Sequence, residues 1–310
     1  MSEGTSIEWT EATWNPTTGC DRISTGCDNC YALTLAARLK AMGSAKYQSD
    51  GDPRTSGPGF GLTVHESVIG QPLWWRTPRL VFVNSMSDLG HARISRTALA
   101  RIFAVMALTR RHTFQVLTKR PGRLARILTG EAFLAAVAEQ ATNLISSRGW
   151  ARWQLDLGGQ RLAGDSSDGP GWSVVDTPRD NTWVPPWPLP NVWIGTSIES
   201  DQHTGRADQL RQVPAAVRFI SAEPLLSALP SLQLAGIDWV IAGGESGPGH
   251  RPLHLHWVRD LRDRCAEQQV AFFFKQVGGR TPKAGGRLLD GRTHDAMPAT
   301  GEPLAAAVTR

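Results

Sequence analysis

Leu80-Val81-Phe82-Val83-Asn84, then Leu99, Ile102, Phe103 and Met106, then Phe114-Gln115-Val116-Leu117-Thr118, together decide the fold class. The two apolar runs are short, rich in Val and Phe, and scarcely alternate, as expected of strands buried on both faces of a parallel sheet. Between them, residues 95 to 109 space apolar side chains three and four apart, one face of a helix. The same rhythm extends outward along the chain. Strands are expected at 192 to 196 (Val192-Trp193-Ile194-Gly195-Thr196) and near 218 to 222, 238 to 242 and 271 to 275, with an earlier one near 10 to 14. A further helix over 255 to 268 carries Leu255, Val258, Leu261 and Cys265 on its apolar face. Seven strands in β-α order make an α/β protein, either an open doubly wound sheet or a full or partial TIM-like (β/α) barrel. Both place functional residues after the strands' C-terminal ends.

With 310 residues, 41% hydrophobic and 20% charged, the chain can bury a sizeable core and is too balanced for wholesale disorder. We expect a single barrel domain over residues 1 to 310 with two Trp-rich insertions. Residues 43 to 78 carry Gly, Ser and Pro with Trp74-Trp75, and residues 146 to 190 hold Trp150, Trp153, Trp172, Trp183 and Trp187. Such tryptophans either stack on bases and sugars or pack irregular segments, and we read them as packing. A Gly- and Pro-rich tail from residue 280 is expected to wrap the barrel. No apolar run approaches the roughly 18 residues of a membrane span, and Met1-Ser2-Glu3-Gly4 lacks the basic and apolar regions of a signal peptide. The chain is therefore expected in the cytoplasm, with no membrane partner. Lys+Arg 33 against Asp+Glu 28 gives +5, which permits an anionic partner; only five of the 33 are Lys, so the Arg excess also has a compositional explanation.

Three of the four cysteines fall within Gly19-Cys20-Asp21-Arg22-Ile23-Ser24-Thr25-Gly26-Cys27-Asp28-Asn29-Cys30-Tyr31-Ala32, a C-x6-C-x2-C pattern. That is a poor secreted-disulfide framework and a good intracellular metal loop. Structural zinc takes four ligands, and the loop offers no fourth. Three thiolates suit a [4Fe-4S] cluster with one iron left open to a substrate or cofactor. The loop follows the proposed first strand and precedes a helix-forming run, Ala32 to Lys40, so a cluster there would sit at the barrel mouth.

Together with that loop, Ile7-Glu8-Trp9-Thr10, Thr13-Trp14-Asn15-Pro16, Ser85-Met86-Ser87-Asp88, Leu117-Thr118-Lys119-Arg120-Pro121, Ser221-Ala222-Glu223-Pro224-Leu225-Leu226, Gly243-Gly244-Glu245-Ser246-Gly247 and Phe273-Phe274-Lys275-Gln276 make the chain resemble the phage Gp37/Gp68 family. That family in turn resembles radical S-adenosylmethionine (SAM) enzymes. The resemblance runs from residue 6 to residue 298 and implies a barrel of the radical SAM type. It implies that Cys20, Cys27 and Cys30 hold a [4Fe-4S] cluster and that SAM chelates the open iron. One-electron reduction would then release a 5′-deoxyadenosyl radical that abstracts a substrate hydrogen. It also implies a reductant protein such as a flavodoxin or ferredoxin. The sequence departs from the common radical SAM pattern in a first gap of six residues rather than three, and in Asn29, where an aromatic residue is usual; Tyr31 is displaced by two positions.

Other polar residues cluster at strand ends. Ser85, Ser87 and Asp88 either bind the SAM ammonium or start a helix as caps. Ser197 and Glu199 could hydrogen-bond a ribose, and Glu223 closes the fifth strand. Gly243 and Gly244 allow close backbone approach to a ligand, with Glu245 beside them. Lys119 and Lys275 are read as attracting an anionic group of the substrate, or as surface charges. His250, His254 and His256 have the wrong spacing for three ligands on one helix face, and Cys265 reads as core.

The competing class is a nucleic-acid-binding protein with a structural zinc or inert cluster, taking Cys265 or a histidine as fourth ligand and contacting phosphate through arginines. A simple cluster-bearing electron carrier is a third. The ordered polar strand ends favour the enzyme, and the basic balance favours a nucleic acid or nucleotide as its substrate.

Overall fold

The computed structural model describes residues 5, 7–147, 184–281 and 283–299. Seven strands form one sheet: β1 (Ala12–Trp14), β2 (Leu80–Val83), β3 (Thr113–Thr118), β4 (Val192–Ser197), β5 (Val217–Ala222), β6 (Trp239–Gly243) and β7 (Ala271–Gln276). Their order in the sheet is their order in the chain. Parallel pairing is seen for β1 with β2, β2 with β3, β5 with β6 and β6 with β7. A doubly wound sheet reverses its order at a switch point, so this sequential order belongs to a partial β/α barrel.

The chain divides into two compact units, with the break inside β4 after Ile194 and Ser24–Tyr31 of the cysteine loop assigned to the second unit. In the first, α1 (Tyr31–Ala41, which enters it at Ala32) follows the loop, and α2 (Arg96–Leu108) joins β2 to β3. Residues 98–100 and 102–108 of α2 are buried, as in a helix covered on all sides. Its start is capped by Ser95, whose hydroxyl accepts from the Ala98 amide at 3.1 Å. Ser87 and Asp88 therefore cap no helix, contrary to one of the two readings offered above. After β3 come α3 (Pro121–Leu128) and α4 (Glu131–Ser147). Phe103 of α2 meets Phe133 of α4 edge-on at 5.7 Å and Trp187 at 5.9 Å, and the Trp187 indole donates to the Leu128 carbonyl at 3.0 Å. Trp187 is thus a packing residue. Trp150, Trp153, Trp172 and Trp183 lie outside the described residues.

Residues 43 to 78 form a buttress more than an appendage. Thr63–Val64 pairs antiparallel with Thr17–Thr18, just ahead of the first cysteine.

In the second unit, α5 (Gly205–Arg211) follows β4 and α6 (Leu255–Glu267) joins β6 to β7. Gly195 of β4 is required by packing: a Cβ there would lie 2.4 Å from the Phe219 ring of β5. The tail runs antiparallel along the β7 edge, with the Phe274 amide donating to His294 O at 2.8 Å and the Trp239 indole donating to Ala296 O at 2.9 Å. Among the described residues no helix is long and apolar enough to cross a membrane.

Candidate functional site

In the first unit, the approach to Cys20 is fastened to the end of β2. Asn84, held at φ 61°, donates its side-chain amide to Thr17 Oγ1 at 2.8 Å. Thr17 Oγ1 donates to Ser87 Oγ at 3.0 Å, and Ser87 Oγ donates to the Gly19 carbonyl at 2.9 Å. Ser85 Oγ and the Met86 amide bind Asn15 at 3.1 and 3.0 Å. Ser85 and Ser87 thus align the two strand ends. Gly19 adopts φ +89°, and a Cβ there would come 2.3 Å from the Gly61 carbonyl of the 43–78 segment, so only glycine fits.

Asp88 is buried and surrounded by donors of its own chain. Oδ1 accepts from the Gly90 amide at 2.8 Å and from Thr118 Oγ1 at 2.5 Å, and Oδ2 accepts from the Lys119 amide at 3.1 Å and Arg120 Nη1 at 2.7 Å. The Arg120 guanidinium continues to Cys20 Sγ at 3.4 Å and to the Asp21 carbonyl at 2.8 Å. Burial works against the Arg120 charge, but Asp88 and Cys20 outweigh it and raise its pKa. Asp21 binds Thr55, Ser56, His91 and Arg93. His91 Nδ1 accepts from the Arg93 amide at 3.2 Å, which leaves the proton on Nε2 to donate to Asp21 at 2.8 Å. Burial holds the His91 pKa below the ordinary value despite Asp21, so this contact is a neutral hydrogen bond more than an ion pair.

In the second unit, the turn carrying Cys27 and Cys30 is clamped by Glu245. Its Oε2 accepts from Asn29 Nδ2, the Arg251 amide and Arg251 Nε, each at 2.9 Å, and Oε1 accepts from Arg251 Nη2 at 2.5 Å. Asn29 Nδ2 also donates to Gly249 O at 2.9 Å, and Arg251 Nη1 to Thr25 O at 3.0 Å. Burial disfavours the Glu245 charge, yet the bonds from Arg251 and Asn29 prevail and lower its pKa. Gly26 lies on buried Glu199: a Cβ would stand 3.0 Å from the Glu199 Cδ. Glu199 Oε2 accepts from Arg206 Nη1 at 2.8 Å, which also donates to Ser197 O at 2.8 Å.

Glu223 and Lys275 form an ion pair with each other, and both stems flank Gly243, whose Cβ would be 3.5 Å from either. Gly244 makes a close approach to protein: a Cβ would meet Val277 O at 1.8 Å. Lys119 is half-buried, and among the described residues its ammonium has no hydrogen bond or ion pair.

Cys20, Cys27 and Cys30 are free and partly exposed. Cys265 is buried on α6, its thiol pushed up to about 12 chiefly by burial, which makes it a core residue. Among the described residues no three His, Cys, Asp or Glu side chains are gathered to hold a metal ion, the histidines at 250, 254 and 256 included. Three free thiols on one loop fit a thiolate-held iron-sulfur centre in chemistry, whereas their side chains are not assembled as they would be around one. Sequence reasoning passed over Arg120, Asp21, His91 and Arg251, although Arg120 directly follows Lys119 and Asp21 directly follows Cys20.

Fold and site define a parallel β/α protein with a three-cysteine loop after its first strand. Residues 4–298 match the family model described as "Protein of unknown function (DUF5131)", and the chain belongs to that family. No curated protein and no solved structure matches it.

Proposed function

We propose that the chain is a radical SAM enzyme whose Cys20, Cys27 and Cys30 hold a [4Fe-4S] cluster. The observation that carries this reading is the three free, partly exposed thiols on one loop beyond the C-terminal end of β1. Burial of Cys265 removes the obvious fourth thiol and with it the case for a four-cysteine zinc site. Bound there, the cluster would supply the electron that splits SAM into methionine and a 5′-deoxyadenosyl radical. In this reading Asp88, Glu199, Glu223 and Glu245 are scaffold, because each is already paired with an Arg or Lys of the chain. Lys119 is the residue we assign to an anionic group of cofactor or substrate.

Anaerobic reconstitution with iron and sulfide tests the reading. We expect about four irons per chain, lost in Cys20→Ala, Cys27→Ala and Cys30→Ala and kept in Cys265→Ala. Dithionite and SAM should then yield 5′-deoxyadenosine by chromatography. Loss of iron in Cys265→Ala, zinc in place of iron, or no 5′-deoxyadenosine from a fully loaded protein would refute it.

A further inference from the structure

Arg120 stands first after β3 and Lys119, and its guanidinium is fixed on three sides. Nη1 reaches Asp88 Oδ2 at 2.7 Å and Cys20 Sγ at 3.4 Å, while Nη2 donates to the Asp21 carbonyl at 2.8 Å. Asp88 cannot swing away, because Gly90, Thr118 and Lys119 hold both of its oxygens. A planar fork so anchored donates to the Cys20 sulfur in a set direction, which a lysine could not reproduce. Hydrogen bonds to ligating sulfurs, and positive charge beside them, stabilise the more negative, reduced state of an iron-sulfur centre.

We propose that Arg120 is a positioning residue that presents the Cys20 sulfur to the metal centre of the cysteine loop and raises the reduction potential of that centre. The inference rests on the proposed function, since it requires iron at Cys20. The step it governs is the transfer of one electron from an external donor, dithionite in the assay, to the oxidised [4Fe-4S] core. No bond forms or breaks at Arg120.

Removing Arg120 alone would strand a buried carboxylate, so the comparison is Asp88→Asn against Asp88→Asn/Arg120→Gln, with Arg120→Lys as a third variant that keeps the charge and loses the fork. Each full-length protein is reconstituted anaerobically and assayed for iron and sulfide. Its midpoint potential is then read by electron paramagnetic resonance during dithionite titration. We expect iron to be retained and the double variant to be reduced about tenfold less favourably than Asp88→Asn, about 59 mV more negative for one electron. Arg120→Lys should fall below the wild type in the same direction. A change under about twofold in the double variant, with iron retained, would overturn the proposal. Wild-type protein that takes up no iron would instead refute the proposed function, and the inference with it, so the two failures are told apart by the iron assay.

Discussion

Asp21→Asn keeps the size of the side chain and removes its charge and one acceptor oxygen. Oδ1 accepts from Thr55 Oγ1 at 2.8 Å and Ser56 Oγ at 3.0 Å; Oδ2 accepts from His91 Nε2 at 2.8 Å and Arg93 Nη2 at 3.2 Å. Burial opposes ionisation, but the bonds from Thr55, His91 and Ser56 and the charge of Arg93 outweigh it and hold the carboxyl at about 2 against an ordinary 3.8. That difference corresponds to about 2 kcal/mol of folding stability. The folded pKa is the depressed one, so the unfolded chain takes up the proton first. The contribution is complete above about pH 5, roughly half lost at about pH 3, and gone once pH falls below the folded pKa. Urea unfolding should therefore show wild type ahead of Asp21→Asn by about 2 kcal/mol at about pH 7, with the gap halved at about pH 3. An equal gap at both pH values would refute the electrostatic account and leave only lost hydrogen-bond geometry.

His112 is fully buried, its ring edge-on to Trp75 at 5.6 Å, and its pKa is lowered to about 3, first by burial and then by the charge of Arg111. The unfolded imidazole protonates first, so stability should fall by up to about 1.4 kcal/mol per pH unit between about 6.5 and about 3; urea titration of His112→Phe should show a slope smaller by that amount, and an unchanged slope would count against it. Gly244→Ala forces a Cβ to 1.8 Å from Val277 O and should cost about 1 to 3 kcal/mol or more, seen as a lowered Tm, whereas Gly205→Ala, with nothing within 4 Å, should not lower it.

The strands were legible because both faces of each are buried, which writes a short, continuous apolar run into the sequence. All six runs from Leu80 onward begin within a residue of the observed strands, and β1 is shorter than the stretch 10 to 14. The choice between doubly wound and barrel order was not legible. Which strand lies beside which depends on pairings such as Phe219 with Trp239, and local pattern is blind to that partner choice. The roles of the strand-end carboxylates were hidden for the same reason. Arg206 and Arg251 lie seven and six residues beyond Glu199 and Glu245, close enough to suspect, but Arg120 reaches Asp88 from 32 residues away and Lys275 reaches Glu223 from 52.

The two departures of the cysteine loop from the common radical SAM spacing have physical counterparts. The long first gap contains Asp21, which ties the chain to Thr55 and Ser56 of the 43–78 segment, and Gly26, which lets the backbone lie against Glu199 where any side chain would press on the carboxylate. A three-residue gap has no room for both anchors. Asn29, where an aromatic side chain is usual, spends its amide on Glu245 and on the Gly249 carbonyl. An aromatic residue there would break that clamp and leave a buried carboxylate one donor short, a cost of about 1 to 3 kcal/mol. The polar residue is therefore explained by the turn it secures, and an adenine contact, in the proposed function, has to come from a residue other than Asn29.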